Sequence, residues 1–156
     1  MFSRISQGIF KNVDHPHIYN IGFVQPEELP AWYRTGNIFL FLSWLDHCPN
    51  TVIEATACGL PVVCTNQGGT RELVEMTNAD IVAEADNKFL FEKVDLYNPP
   101  KPDYQRTLDA INDIISNYDD YISNINKSEI NIDHVAAEYL NYVQEVLSKR
   151  TNKRSD

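Results

Sequence analysis

The sequence predicts an α/β fold: a Rossmann-like three-layer domain on a parallel sheet, with two helices added at its carboxyl end. Three observations lead there. Short apolar runs alternate with segments of helical character. One run, Asn37–Leu42 (NIFLFL), is almost continuously apolar. After Asn98 the strand pattern stops and two amphipathic stretches follow. Strands separated by helices pair in parallel through crossovers on the sheet faces. A strand covered on both faces reads as an unbroken apolar run.

The elements follow in order. His17–Ile21 reads as a strand closed by Gly22. Pro26–Arg34 reads as a short helix with proline near its first turn, where the missing N–H costs little. Asn37–Leu42 is the buried strand. Asn50–Cys58 reads as a helix, with Asn50 as N-cap and Gly59 just past the end. Leu60–Cys64 is the next strand, Gly68-Gly69-Thr70 a turn that opens another short helix, and Asp80–Ala83 a further strand. Ligands of such sheets bind at the carboxyl ends of the strands, here the loops Ser43–Pro49 and Thr65–Gly69.

Asn98-Pro99-Pro100-Lys101-Pro102 is a stiff connector. A helix over Tyr104–Ile125 spaces Leu108, Ile111, Ile115 and Ile122 at helical intervals. Another over Asp133–Ser148 spaces Val135, Tyr139, Tyr142, Val143, Val146 and Leu147 in the same way. Both stripes are expected to be core. The organisation is therefore a sheet domain over residues 1–98, a helical segment packed on it over 99–148, and a tail over 149–156. No internal repeat is visible.

Bulk properties exclude several classes. A chain of 156 residues fits one domain, which commonly holds about 100–200. Thirteen Lys and Arg against 22 Asp and Glu give a net charge of −9. Nucleic acid and anionic membrane surfaces select basic faces, so neither is an expected partner. The only basic cluster, Lys149, Arg150, Lys153 and Arg154, reads as a solvated terminus. Met1–Phe10 lacks the apolar core of a signal peptide, and no run approaches the roughly 18 apolar residues of a transmembrane segment. Three cysteines without CxxC spacing, Cys48, Cys58 and Cys64, point to thiols in a reducing cytoplasm and away from zinc.

The chemistry concentrates in Ser43–Val74, SWLDHCPNTVIEATACGLPVVCTNQGGTRELV. The start of the Asn50–Cys58 helix presents unpaired N–H groups and a dipole end worth about +0.5 charge, which suits a phosphate. Glu54 stands about one turn into that helix, and its two oxygens can accept from two vicinal hydroxyls. Asp46, just past the strand, can accept from further hydroxyls. Gly68 and Gly69 permit close backbone approach. Each residue also has a plainer reading. Asp46 serves equally as a turn residue, Glu72 as a cap of its own helix, and His47 as a neutral loop histidine. Cys58 and Cys64 read as packing, Cys48 has no neighbour in the sequence to activate it, and His15, His17 and His134 read as surface residues.

This stretch resembles the donor-binding signature of retaining GT-B-fold glycosyltransferases of the glycosyl transferases group 1 type. In that family an acidic residue is followed, after seven others, by Glu, then Ala, a small run, Gly and Pro-Val-Val, then Gly-Gly and a nearby Glu. Here these are Asp46, Glu54, Ala55, Cys58-Gly59-Leu60-Pro61-Val62-Val63, Gly68-Gly69 and Glu72. Gly22 and Glu27-Glu28-Leu29 agree with the family's flanks, and Asp133–Leu147 resembles its closing helix. The likeness covers roughly residues 10–148. It implies the carboxyl-terminal half of a GT-B fold, binding a nucleoside diphosphate sugar and moving the sugar to an acceptor hydroxyl with retention.

The resemblance also assigns roles. Glu54 binds the nucleotide's ribose hydroxyls. Asp46 stands where the family's first Glu meets the donor sugar, one methylene shorter. Backbone N–H groups of His47, Cys48 and Asn50 meet the sugar and pyrophosphate, Thr51 adds a hydroxyl, and Gly68, Gly69 and Glu72 complete the donor site. Asp46 and Glu54 are the expected catalytic residues, though their separation in the sequence does not make them an acid/base pair or a glycosidase dyad. No metal or other cofactor is expected. The loop reads His47-Cys48-Pro49 where Phe-Gly is common.

The resemblance begins partway into the second of the family's two domains, so a separate polypeptide carrying the first domain is an expected partner. The strands that bring Arg and Lys to the pyrophosphate have no counterpart here. Before residue 50 the chain offers only Arg4, Lys11 and Arg34. A dipole of about half a charge does not balance a diphosphate, so weak donor binding by the chain alone is expected. The alternative is a non-catalytic nucleotide-sugar-binding module or one half of a split glycosyltransferase. An epimerase of the same architecture calls for more acidic and histidine groups than the sequence supplies.

Overall fold

The computed structural model describes residues 15–43, 46–66, 68–78, 80–83 and 101–152. Met1–Phe10 with Arg4, the cation Lys11, the connector start Asn98–Pro100, and Lys153 and Arg154 lie outside the described residues.

Helix α1 is Leu29–Tyr33, and strand β1 is Phe39–Phe41. Helix α2 is Asn50–Ala57, β2 is Val62–Thr65, α3 is Thr70–Met76 and β3 is Asp80–Ala83. Helices α4 (Tyr104–Ser116) and α5 (Tyr118–Asn124) follow, then a 3-10 turn over Ser128–Ile130 and the long helix α6, Ile132–Asn152. The strands form one parallel sheet in the order β1-β2-β3. The register sets Phe39 beside Val62 and Cys64 beside Val82. This is the α/β architecture and parallel pairing that the alternating pattern predicts.

Side-chain alternation along β2 builds two cores. Val62 and Cys64 point to one face, where they pack with Val52 of α2, Val74 of α3, and Phe39 and Phe41 of β1. Val63 points to the other face, against Ala110 and Ile114 of α4. All four residues of β2 are buried, as a central parallel strand requires. Helices therefore cover both faces of the sheet.

Several elements differ from expectation. The run Asn37–Leu42 is not buried on both faces: only Phe39–Phe41 is strand, it pairs with β2 alone among the described strands, and Leu40 is 48% exposed. His17–Ile21 is not a strand: it pairs with no described strand, and Ile18, Tyr19, Ile21 and Phe23 are exposed. An apolar run becomes a strand only beside a hydrogen-bonding neighbour. Helix α1 starts three residues later than predicted, with Pro30 rather than Pro26 in its first turn, because residues 26–28 form a turn. The predicted Tyr104–Ile125 helix breaks at Asn117, which leaves helical geometry (φ −124°, ψ 33°) and hands over to α5.

The buried face of α4 is Thr107, Ala110 and Ile114 with Ile111 packed beside them. Leu108, Ile115 and Ile122, expected in the core, are exposed. On α6 the expected core stripe is largely exposed: Tyr139, Tyr142, Val143 and Leu147 face solvent, and Val135 and Val146 are half-buried. Helix α6 also runs through Lys149 and Arg150, which sit in its last turn where cations complement the dipole. Lys149 pairs there with Glu145.

Candidate functional site

The site predicted at the carboxyl ends of β1 and β2 consists of a loop, a helix start and a glycine turn. Backbone interlocking holds the loop and turn together. The Gly69 N–H donates to the Asp46 carbonyl at 2.9 Å. A Cβ on Gly69 would collide with the His47 carbonyl, and one on Gly68 with that of Asp46. Gly68 also has φ of +66°, which L side chains rarely adopt. What comes close to these glycines is the backbone of the neighbouring loop. The sequence alone suggested the close approach of a ligand; the structure shows the interloop packing that makes the glycines necessary.

The Asp46 side chain works inside the loop. Its Oδ1 accepts the Cys48 N–H at 3.2 Å, closing a tight turn of the kind Asp favours. Of the three loop and helix amides expected at a ligand, that of Cys48 is thus engaged by Asp46. His47 and Cys48 are exposed, Asp46 is half-buried, and Pro49 is buried. A second tie, from the Thr65 hydroxyl to the Ser43 carbonyl at 2.7 Å, joins the ends of β1 and β2 beneath the loop.

Helix α2 begins one residue earlier than the cap assignment implied. Pro49 is the N-cap, with extended geometry, and Asn50 is already helical. Proline has no side-chain acceptor, so no side chain caps the helix. The Pro49 carbonyl receives Val52 N–H at 3.0 Å and Ile53 N–H at 3.4 Å. The Asn50 and Thr51 amides precede the first intrahelical bond and point out of the helix start. Both residues are exposed. Val52, Ala55 and Thr56 turn inward and anchor the helix on the sheet. That leaves Glu54 exposed on the opposite side, one turn from the start.

Glu54 has a partner that sequence reasoning missed. The Tyr33 hydroxyl donates to Glu54 Oε2 at 3.0 Å. Burial, then the hydrogen bond and charge of Glu54, push the Tyr33 phenol up to about 12. The two residues stand 21 positions apart across a strand, so no local spacing joins them. The hint in the sequence is an aromatic residue ending a short helix just before a buried strand.

Glu72 is exposed in the first turn of α3. A capping role would need the Gly69 N–H, which is already given to Asp46, and no side chain caps that helix. Thr70 begins α3 fully buried, with no hydrogen-bond partner for its hydroxyl among the described residues. Arg34 caps the end of α1 with its backbone N–H on the Pro30 carbonyl at 3.2 Å. Among the described residues no group of His, Cys, Asp and Glu is arranged to hold a metal ion. No described helix is long and apolar enough to cross a membrane. Cys48, Cys58 and Cys64 are thiols rather than disulfides.

The parallel sheet and the loop clasped against the glycine turn define an α/β protein with a polar site at its strand ends. Comparison then supplies the family. Residues 5–96, more than half of the chain, match the family described as Glycosyl transferases group 1, and the chain belongs to it. It is similar to spore coat protein SA of Bacillus subtilis (strain 168), with 30% identity over 101 residues, 64% of this chain and 23% of that protein. It is also similar to O-antigen chain mannosyltransferase B of Escherichia coli, with 34% identity over 64 residues, 41% of this chain and 16% of that protein. The chain thus spans less than a quarter of the length of either relative. No solved structure matches it significantly.

Proposed function

We propose that this chain carries the donor-binding site of a retaining glycosyltransferase of GT-B architecture, with a Rossmann-like three-layer domain around the sheet. The observation that carries the reading is the juxtaposition of three features in a member of this family. A loop is clasped to a glycine turn, the start of α2 is uncapped by any side chain, and an exposed Glu54 stands one turn away.

In this reading the diphosphate of a nucleotide sugar lies at the start of α2, near the Asn50 and Thr51 amides and the Thr51 hydroxyl. Free helix N–H groups and the dipole attract it there. Glu54 accepts from the ribose hydroxyls. Asp46 and His47 face the donor sugar, with Cys48, Gly68, Gly69 and Glu72 shaping the same wall. Asp46 holds Cys48 through one oxygen and keeps acceptor capacity for a sugar hydroxyl, since a carboxylate offers about four lone-pair sites. Transfer then comes from orienting the donor and stabilising the leaving diphosphate. No metal is called for in this scheme. A second domain, on this polypeptide or a separate one, completes the transfer site with the acceptor. The thiol state of the cysteines fits a cytoplasmic setting.

The test is a titration of the purified chain, by NMR or calorimetry, with UDP, GDP, ADP and their common sugars, beside a Glu54→Ala variant. One nucleotide should bind in the millimolar range and lose most of its affinity in the variant. Binding that Glu54→Ala leaves untouched would overturn the assignment.

A further inference from the structure

The Tyr33–Glu54 hydrogen bond joins two elements that no sequence spacing connects, and it acts on the carboxylate at the centre of the site. Four observations define it. The phenol donates to Oε2 alone, at 3.0 Å. The Tyr33 ring lies edge-on to Phe39 of β1, with centroids 5.7 Å apart and planes at 82°. Phe39 is itself stacked on Phe41. Helix α1, which ends at Tyr33, packs on α2, with the Cys58 thiol facing the Pro30 carbonyl at 4.0 Å. The hydroxyl is therefore presented from the end of α1 with its ring seated edge-on against β1, and swinging the ring away would break that contact.

The consequence is local. An exposed glutamate samples several rotamers and loses that freedom when a ligand binds. A fixed donor on one oxygen selects the rotamer before binding and leaves Oε1 to accept. Raised to about 12, the phenol stays protonated and remains a donor through the physiological range. About four lone-pair sites on the carboxylate accommodate one phenol and two hydroxyls together.

We propose that Tyr33 is a positioning residue for the nucleotide site: it holds Glu54 in the one orientation that receives a ribose diol, and so sharpens selection of ribonucleotide over deoxyribonucleotide. This rests on the reading of Glu54 as the ribose acceptor. Tyr33 itself touches no substrate in this scheme. It acts by pre-organisation, which strengthens binding by reducing what is lost on ordering.

The experiment uses the full chain, isotopically labelled, titrated by NMR with UDP, GDP and ADP and the 2′-deoxy counterpart of each. Tyr33→Phe keeps the ring on Phe39 and removes only the hydroxyl. The parent should favour the ribonucleotide. Tyr33→Phe should cut that preference about three- to tenfold while leaving the 2′-deoxy affinity unchanged, the scale of one hydrogen bond to a charged group. Glu54→Ala should abolish the preference, and adding Tyr33→Phe to it should change nothing more. Equal weakening of both nucleotides by Tyr33→Phe would mean packing alone and would overturn the proposal. So would an intact preference in Tyr33→Phe beside a lost one in Glu54→Ala, an outcome that leaves the reading of Glu54 standing. A preference that survives Glu54→Ala, or no saturable binding of any nucleotide, would overturn that reading and this proposal with it.

Discussion

Helices α2 and α6 both carry an apolar stripe, yet the structure treats them in opposite ways. Helix α2 has eight residues and buries Val52, Ala55 and Thr56 against the sheet. Helix α6 has 21 residues, and Tyr139, Leu140, Tyr142, Val143 and Leu147 are all at least half exposed. Its principal contact among the described residues is the 3-10 turn Ser128–Ile130. The difference lies in connectivity. Helix α2 joins β1 to its parallel neighbour β2, and a parallel crossover must lie on the sheet. Nothing of that kind constrains α6, which enters from a turn. An amphipathic pattern states that a face wants a partner; only topology says where the partner is.

The largest effect expected on the packed side of this comparison is at the clasp. Gly69→Ala should destabilise the fold by about 3 kcal/mol or more, because its Cβ meets backbone and not a movable side chain. Gly22→Ala is the control. Gly22 has φ of +69°, but its Cβ would enter open space, so only the backbone cost of about 1–2 kcal/mol applies. Denaturant unfolding should rank the two in that order. Equal losses would mean that the loop relaxes freely and the clasp does not fix the site.

The next effect compares helix faces directly. Ile114 of α4 is fully buried, so Ile114→Ala should cost about 2–5 kcal/mol. Leu140 of α6 is 63% exposed, so Leu140→Ala should fall within about 0.5 kcal/mol of the parent. Urea midpoints of the two variants decide it. A Leu140→Ala loss as large as that of Ile114→Ala would break the comparison, since it would require a cover over α6 in solution.

The sequence reading succeeded where one physical rule acted alone. PVVC runs into β2, whose residues are all buried, because a strand covered on both faces is apolar throughout, and Asn50–Ala57 is a helix because the crossover needs one. NIFLFL also holds a strand, but not the doubly buried one expected: β1 pairs only with β2 among the described strands, and Leu40 is exposed. It failed where two rules competed. His17–Ile21 has a strand's composition but no ladder partner among the described strands. On α4 the face turned to the sheet is Thr107, Ala110 and Ile114, and Leu108 and Ile115, each one position further along, face solvent. At the candidate site, spacing was enough to mark the loop, the helix start and the glycine turn. It gave the glycines a ligand-facing reason, whereas the geometry shows the Asp46–His47 backbone against them. Tyr33 stayed hidden because its partner is brought near only by the fold.

The smallest effect sits at the edge of the packed region and tests how far its order reaches. The Tyr33 phenol rises from 10.0 to about 12 in the folded chain. A raised value means that the native state holds this proton more tightly than the unfolded chain does. The stability linked to this proton, set by burial first and then by the bond to and charge of Glu54, is complete below pH 10.0 and is lost as pH climbs towards about 12, where a half-buried phenolate would face the Glu54 carboxylate. Tyr33→Phe lacks the titrating group. Thermal midpoints of parent and variant should therefore differ by a constant small amount up to about pH 10 and converge over the next two units. The difference cancels the ionisations that both proteins share. A gap that stays flat across this window would mean that neither burial nor Glu54 raises the Tyr33 phenol in solution, so that the ring is not packed beside Glu54. The packed region would then end at Phe39, leaving Glu54 as unsupported as the apolar face of α6.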